Sequence, residues 1–276
     1  MKIYKHLCVR PNIGDEFNDW FWNEVFGPEI QDIHPDCLLV GIGTVLSNKL
    51  PKAKYYHVIG SGTGYGEPFD VHQKNVTVHF VRGPLTAEKL GLPKNLALTD
   101  PAILISEMRP QSHTNKIPVA LMTHTGIDSD DYRKLVEDMG WVYISPSDDE
   151  ESILNKIANT DVLITSAMHG AIMADSYRTK WIPIITSNEI LSFKWEDWCA
   201  TMKLPFSPKA IPAYWVSDGS LIANTKQWIK KRIIQKRLRD IYKNCSPTLS
   251  SDSIFNAKLL EMKNKMAEIK STLFKS

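Results

Sequence analysis

Short apolar runs closed off by glycine, proline or polar residues recur along the first two hundred positions, and segments of helical spacing lie between them. Residues 5–9 predict a strand, followed by a turn and an aromatic-rich helix over 16–26. The runs at 37–42, 55–59 and 76–81 predict three more strands. Residues 84–90 suit a short helix, with Pro84 at its first position and Gly91 past its end. The stretch 106–116 has no periodicity and reads as a linker. A second block then opens with a strand over 117–123. An Asp-rich helix start at 128–131 runs to Met139 and stops at Gly140, and a strand follows over 141–145. The block continues as helix 148–159, strand 161–165, helix 169–177 and strand 181–185.

Strands alternating with helices of about ten residues predict an α/β fold with parallel sheets covered on both faces. Two such blocks imply two Rossmann-like domains facing each other, over 1–105 and 117–215, with a helical extension over 216–276. In the extension, Ser217, Asp218, Gly219 and Ser220 can cap a helix reaching about Asn244. Its residues Trp228, Ile229, Ile233, Ile234, Leu238, Ile241 and Tyr242 recur at helical spacing and predict one buried stripe. A lysine-rich helical stretch begins at Phe255, and fraying is expected there.

Composition narrows the class. An apolar content of 43% with 23% charged residues is that of an ordinary globular chain, so disorder is excluded. No apolar run approaches the ~20 residues of a membrane span. The opening residues lack a continuous apolar core, which predicts no secretory signal. Cys8, Cys37, Cys199 and Cys245 are scattered without a C-x-x-C pair, as expected of idle thiols in a reducing compartment, so a cytoplasmic location is expected. The net charge is only +2, yet residues 226–243 hold eight bases and one acid. Positive charge confined to one helix does not predict nucleic-acid binding. It allows a peripheral contact with anionic membrane through 226–243.

Four places carry candidate chemistry. Asn12, Gly14 and Asp15 form a turn at the end of the first predicted strand, with Asp15 a candidate helix cap. Gly60, Ser61, Gly62, Gly64 and Gly66 form a glycine-rich loop able to offer backbone N–H groups to an anion or a sugar, although no Gly-Lys-Ser/Thr follows. Arg82 closes a strand directly before a Gly-Pro helix start, a position suited to a carboxylate or phosphate. His169 opens a helix after a strand that ends in small residues, where it can serve as a base. His57 and His79 sit inside strand runs and read as satisfied core residues. No metal-binding spacing is present in the sequence, and no metal is expected.

As a set, these elements resemble the polysaccharide pyruvyl transferase family. The matching residues are Asn12 to Asp15, Gly60 to Gly62, Val81 to Leu85, Leu98 to Ala102 and Ser166 to Gly170, and the likeness covers about residues 8–200. The resemblance implies a two-domain fold similar to the glycosyltransferase-B type, in which a C-terminal helix packs back across the N-terminal domain. It also implies phosphoenolpyruvate as donor substrate, no further cofactor, and a glycan acceptor, free or lipid-linked, in bacterial exopolysaccharide, capsule or lipopolysaccharide synthesis. By that implication the first domain takes the acceptor, contacted by Asn12, Gly14, Ser61 and Gly62. The donor falls to Arg82, Met168, Gly170, Ala171 and Lys194. His169 is the general acid/base, and Asp15 orients the acceptor hydroxyl. Many members carry an arginine where this chain has Ala167, and Lys194 is the candidate substitute for that charge. A nucleotide-sugar glycosyltransferase and a non-catalytic glycan-binding protein on the same scaffold are the competing readings.

Overall fold

The computed structural model describes residues 1–6, 10–112, 116–186, 191–214 and 221–274, of which 221–225 by their backbone alone. The strands are β1 (Lys2–Tyr4), β2 (Cys37–Val40), β3 (Tyr55–Ile59), β4 (Val76–Phe80), β5 (Ile117–Met122), β6 (Val142–Ile144), β7 (Thr160–Thr165), β8 (Lys180–Ile185) and β9 (Lys209–Ala210). The α-helices are α1 (Ile13–Phe26), α2 (Pro84–Lys89), α3 (Ile105–Met108), α4 (Asp130–Glu137), α5 (Glu150–Ala158), α6 (Met168–Ser176), α7 (Ser192–Thr201), α8 (Leu221–Asn244) and α9 (Asp252–Leu273). They form two sheets, ordered β1-β2-β3-β4 and β6-β5-β7-β8-β9, with every pairing parallel.

The chain divides into two compact units, and the division does not follow the sequence in two blocks. The first unit contains Met1–Met108, Leu191–Pro205 and Ser250–Ser276; the second contains Arg109–Ile190 and Phe206–Leu249. The first therefore receives α7 and α9 from distant parts of the chain. On one side of its sheet, Leu38, Val40, Tyr56 and Val58 pack with Phe69, Val71, Ala87 and Leu90. On α1, Phe17, Phe21, Trp22 and Phe26 are all buried, and the Trp22 and Phe26 rings stack at 5.8 Å. Asn18 joins this helix to the chain after β2, donating through Nδ2 to the Ile42 carbonyl and accepting from the Ile42 amide.

The second unit packs Val119, Leu121, Ile164, Ile182 and Ile184 of its sheet against α4 and α8. Its α4 starts at a Ser129 cap, whose hydroxyl accepts from the Tyr132 amide, and α5 at an Asp149 cap, which accepts from Ser152.

Several local expectations shift. The first strand lies at Lys2–Tyr4 instead of 5–9, and residues 7–9 fall outside the described set, as do the expected helix-capping residues 217–220. Helix α1 begins at Ile13, so Asn12 holds the cap position and Asp15 lies within the first turn, where its charge suits the positive helix end. Instead of forming a single stripe, the apolar residues of α8 divide between two faces. Ile234, Leu238 and Ile241 enter the second unit's core, whereas Trp228, Ile229 and Ile233 are exposed. Although α8 was expected on the N-terminal domain, it belongs to the second unit, and α9 joins the first. The stretch expected to fray is a packed helix, burying Phe255, Met262, Met266, Ile269 and Leu273 along one side. Met262→Ala should therefore destabilise the protein by about 2–5 kcal/mol in thermal or denaturant unfolding. A frayed helix would tolerate the change with no measurable loss.

Candidate functional site

In the first unit, the carboxyl ends of parallel strands gather the chemistry. After β2 come Gly43 and Thr44, after β3 the loop from Gly60 to Gly66, and after β4 Arg82 and Gly83. Ser61 and Gly62 are held in place by hydrogen bonds: Ser61 Oγ and the Gly62 amide both donate to the Gly43 carbonyl, at 3.2 and 2.9 Å. The Arg82 amide in turn donates to the Ser61 carbonyl at 3.1 Å.

Arg82 is completely buried. Its Nε lies 3.4 Å from Asp197 Oδ2, on α7, and its Nη1 donates to Thr44 Oγ1 at 2.9 Å. Its Nη2 has no acceptor among the described residues. A buried guanidinium with one unanswered nitrogen is costly unless an anion completes it. Asp197 also accepts from the Thr86 amide at 2.9 Å and from Thr86 Oγ1 at 2.6 Å. It thus serves as the cap of α2, because Gly83 at the cap position has no side chain to offer. The approach is so close that a Cβ on Gly83 would sit 2.2 Å from the Asp197 carbonyl, and one on Gly62 would sit 2.2 Å from Arg82 Nη2.

Lys194 lies one helical turn before Asp197, on the same face of α7. It is buried, with Nζ 5.8 Å from the centre of the Tyr65 ring. Burial and the neighbouring Arg82 charge push its ammonium down to about 8, with Asp15 acting in the opposite sense. Asp15 is buried, its Oδ2 accepting from Asn12 Nδ2 at 2.7 Å, and Gly14 is buried in the same turn. Asp100 is fully buried and caps the turn after Leu98 by accepting from the Ala102 amide at 3.0 Å. Burial pushes its carboxyl up to about 6, against the pull of Arg82 and that amide.

In the second unit, β5 lies between β6 and β7, so the chain winds outward from β5 in opposite directions. The crevice outside such a switch point is where open α/β sheets bind ligands. Thr123 and His124 emerge there from β5, and Ser166 to His169 emerge from β7. Ser166 Oγ accepts from the His124 amide at 2.8 Å, joining the two strand ends. Ala167 is the cap residue of α6 and has no side-chain acceptor, so the helix start presents backbone N–H groups. Met168 and Gly170 are buried, and His169 is half-buried beside them. The expectation for Ala171 needs correction. Its amide donates to the Ala167 carbonyl at 3.2 Å, so the amides that precede the helical ladder are those of Met168, His169 and Gly170.

Of the sequence-derived site residues, Arg82, Lys194, Asp15, Asn12, Gly14, Ser61 and Gly62 lie in the first unit. Met168, His169, Gly170 and Ala171 lie in the second. Lys194 thus stands with Arg82, in a different unit from Ala167. Asp197, Thr44 and Tyr65 were not anticipated from the sequence, although Asp197 was signalled by its position between Trp195 and Trp198, both of them buried. Away from this edge, His57 Nδ1 and His79 Nε2 pair at 3.0 Å, and burial pushes the His79 imidazole down to about 4. His79 lines a cavity of ≈350 Å³ with Asn95, Glu261, Lys265 and Glu268, so it is not a closed core position. No group of three or more metal-ligating side chains occurs among the described residues.

A family model described as polysaccharide pyruvyl transferase matches residues 71–188. Over 220 residues the chain is 35% identical to the Succinoglycan biosynthesis protein ExoV of Rhizobium meliloti (strain 1021), covering 77% of this chain and 68% of that protein. The chain belongs to the polysaccharide pyruvyl transferase family. The span matched by the family model includes Arg82, Asp100 and His169. Asp15, Ser61, Lys194 and Asp197 lie outside it, and within the first unit the structure gathers them around Arg82.

Two titrations follow. Lys194 is charged below about 8, so sulfate affinity at this edge should fall as pH rises through that value, read by calorimetry, and Lys194→Met should remove the dependence. Asp100 holds its proton to about 6 in the folded chain but to about 4 when unfolded, so the folded state binds more protons between those values. Its contribution to stability is therefore lost as pH rises across that window, by an amount on the order of 3 kcal/mol. Asp100→Asn should flatten that part of the stability profile in denaturant titrations.

Proposed function

We propose that the protein transfers the pyruvyl group of phosphoenolpyruvate to two hydroxyls of a glycan, forming a ketal during exopolysaccharide synthesis. The observation that carries this reading is the buried Arg82, whose Nη2 lacks an acceptor among the described residues and which lies near a second buried cation, Lys194. Phosphoenolpyruvate carries a carboxylate and a phosphate on one small carbon frame, and paired cations suit such a ligand. The similarity to a protein named for succinoglycan biosynthesis supports a polysaccharide as acceptor.

The chemistry assigns roles as follows. The donor's methylene carbon takes a proton, one sugar hydroxyl adds to the adjacent carbon, and phosphate leaves. A second hydroxyl then closes the ring on that same carbon. Of the two hydroxyl protons, one ends on the new methyl group and the other leaves with phosphate, so atoms and charge balance. His169 serves as the proton-transfer group. Arg82 and Lys194 hold the donor's anionic groups, and Asp15 orients the acceptor hydroxyl. No metal or further cofactor is needed for any step, and the reading places the enzyme in the cytoplasm, where phosphoenolpyruvate is made.

Thermal unfolding with phosphoenolpyruvate, compared with a panel of nucleotide sugars, tests the donor. A ligand at ~100 times its dissociation constant stabilises the folded state by about 2.7 kcal/mol, a readable shift. Stabilisation by phosphoenolpyruvate is expected, whereas stabilisation by a nucleotide sugar alone would replace this reading with glycosyl transfer. His169→Ala should keep the phosphoenolpyruvate shift while lowering acceptor-dependent phosphate release by about 10²–10⁴-fold.

A further inference from the structure

Helix α8 is amphipathic in an unusual sense, because both of its sides carry large apolar residues. The inner side is accounted for by Ile234, Leu238 and Ile241, which are buried in the second unit, and by Gln235, whose Nε2 donates to the Leu135 carbonyl at 2.9 Å. On the opposite side Trp228, Ile229 and Ile233 are 59%, 46% and 50% exposed, which is a rare condition for three large side chains within six positions of one helix. At 100° per residue they share an arc with Arg232, Lys236, Arg239 and Lys243, all exposed, and Lys226 lies at its margin. Arg232 places its guanidinium 5.5 Å from the centre of the Trp228 ring. Asp240, partly exposed, is the only acid between residues 226 and 243 and falls within the same arc, where the basic residues outnumber it. Lys231 is not part of this face, since it forms an ion pair with Asp138, the residue that ends α4.

We propose that this outward face of α8 docks on an anionic lipid bilayer. Charge complementarity and the mixture of side chains select that occupant. Interleaved lysine and arginine meet the negative surface of such a bilayer, and the aromatic and branched side chains between them enter the boundary between headgroups and acyl chains. A polyanion without an apolar layer would leave Ile229 and Ile233 with nothing to bury them. The basic positions spread over about 26 Å, at 1.5 Å per residue, so the helix lies along the surface. None of the described helices is long and apolar enough to cross a membrane, so this contact is peripheral. The proposal goes beyond the reading of pyruvyl transfer and does not depend on it, because docking requires neither donor nor acceptor.

The test is co-sedimentation of the full chain with vesicles of phosphatidylcholine alone or mixed with phosphatidylglycerol, at low and high salt. Binding to the mixed vesicles only, weakened by salt, is expected. Replacing Lys236, Arg239 and Lys243 by Gln should weaken it by roughly 100-fold, at roughly 5-fold per basic residue near the surface. Trp228→Ala combined with Ile233→Ala should weaken it at low salt as well, and because all five positions are exposed, both variants should melt as the parent does. No binding, equal binding to neutral vesicles, or binding unchanged in both variants would overturn the proposal. So would a dimer, seen by sedimentation equilibrium, that the apolar variant dissociates while vesicles stay unbound, since the face would then belong to a second copy of the chain.

Discussion

The carboxyl edge of the first unit's sheet depends on the carboxylate of Asp197, which answers two unrelated needs at once. One oxygen accepts from the Thr86 amide and so ends the exposed start of α2. The other lies near Arg82 Nε and accepts from the Thr86 hydroxyl. A fully buried guanidinium is tolerated only with a counter-charge, and breaking such a pair costs about 3–5 kcal/mol. The same contact fixes where α7 runs, and the helical repeat then brings Lys194 to the same side one turn earlier. The orientation of Arg82, the start of α2 and the position of the second cation are therefore a single geometric fact.

The two strand-to-helix junctions near the candidate chemistry show opposite solutions to one problem. Both α2 and α6 begin at a residue without a capping side chain, Gly83 in one case and Ala167 in the other. At α2 the protein's own carboxylate fills the position an anion would take, and Arg82 Nη2 is left without an acceptor among the described residues. At α6 no side chain caps the first turn. A chain that wanted only stability would have placed Ser, Thr, Asp or Asn at position 167, gaining about 1 kcal/mol.

Much of this was legible in the sequence, because strands β2 to β8 are short apolar runs with clear boundaries. Arg82 stood out as a charged residue closing an apolar strand before Gly-Pro, and the structure buries it completely. Helix α7 was harder to read because it buries Lys194 and Asp197 alongside Trp195 and Trp198, so the polar positions that normally mark an outer face point inward. The apolar residues of α8 span too wide an arc for one stripe, and only the structure shows which of them the sheet takes. In α9 the many lysines concealed a regular set of buried positions, so composition suggested fraying where spacing indicated packing. The unavailability of the Ala171 amide follows from helix geometry, since the fourth residue past a cap is the first to be bonded.

The first unit draws on residues 1–108, 191–205 and 250–276, and this has a consequence for how the protein is made. During synthesis the first sheet and Arg82 are complete well before Asp197 and Lys194 leave the ribosome, and α9 follows only after the whole second unit. Until then the guanidinium has no buried counter-charge and α2 has no cap. The edge around Arg82 is among the last features to close, and a nascent chain stalled before position 197 would hold a nearly finished sheet with that guanidinium unpaired.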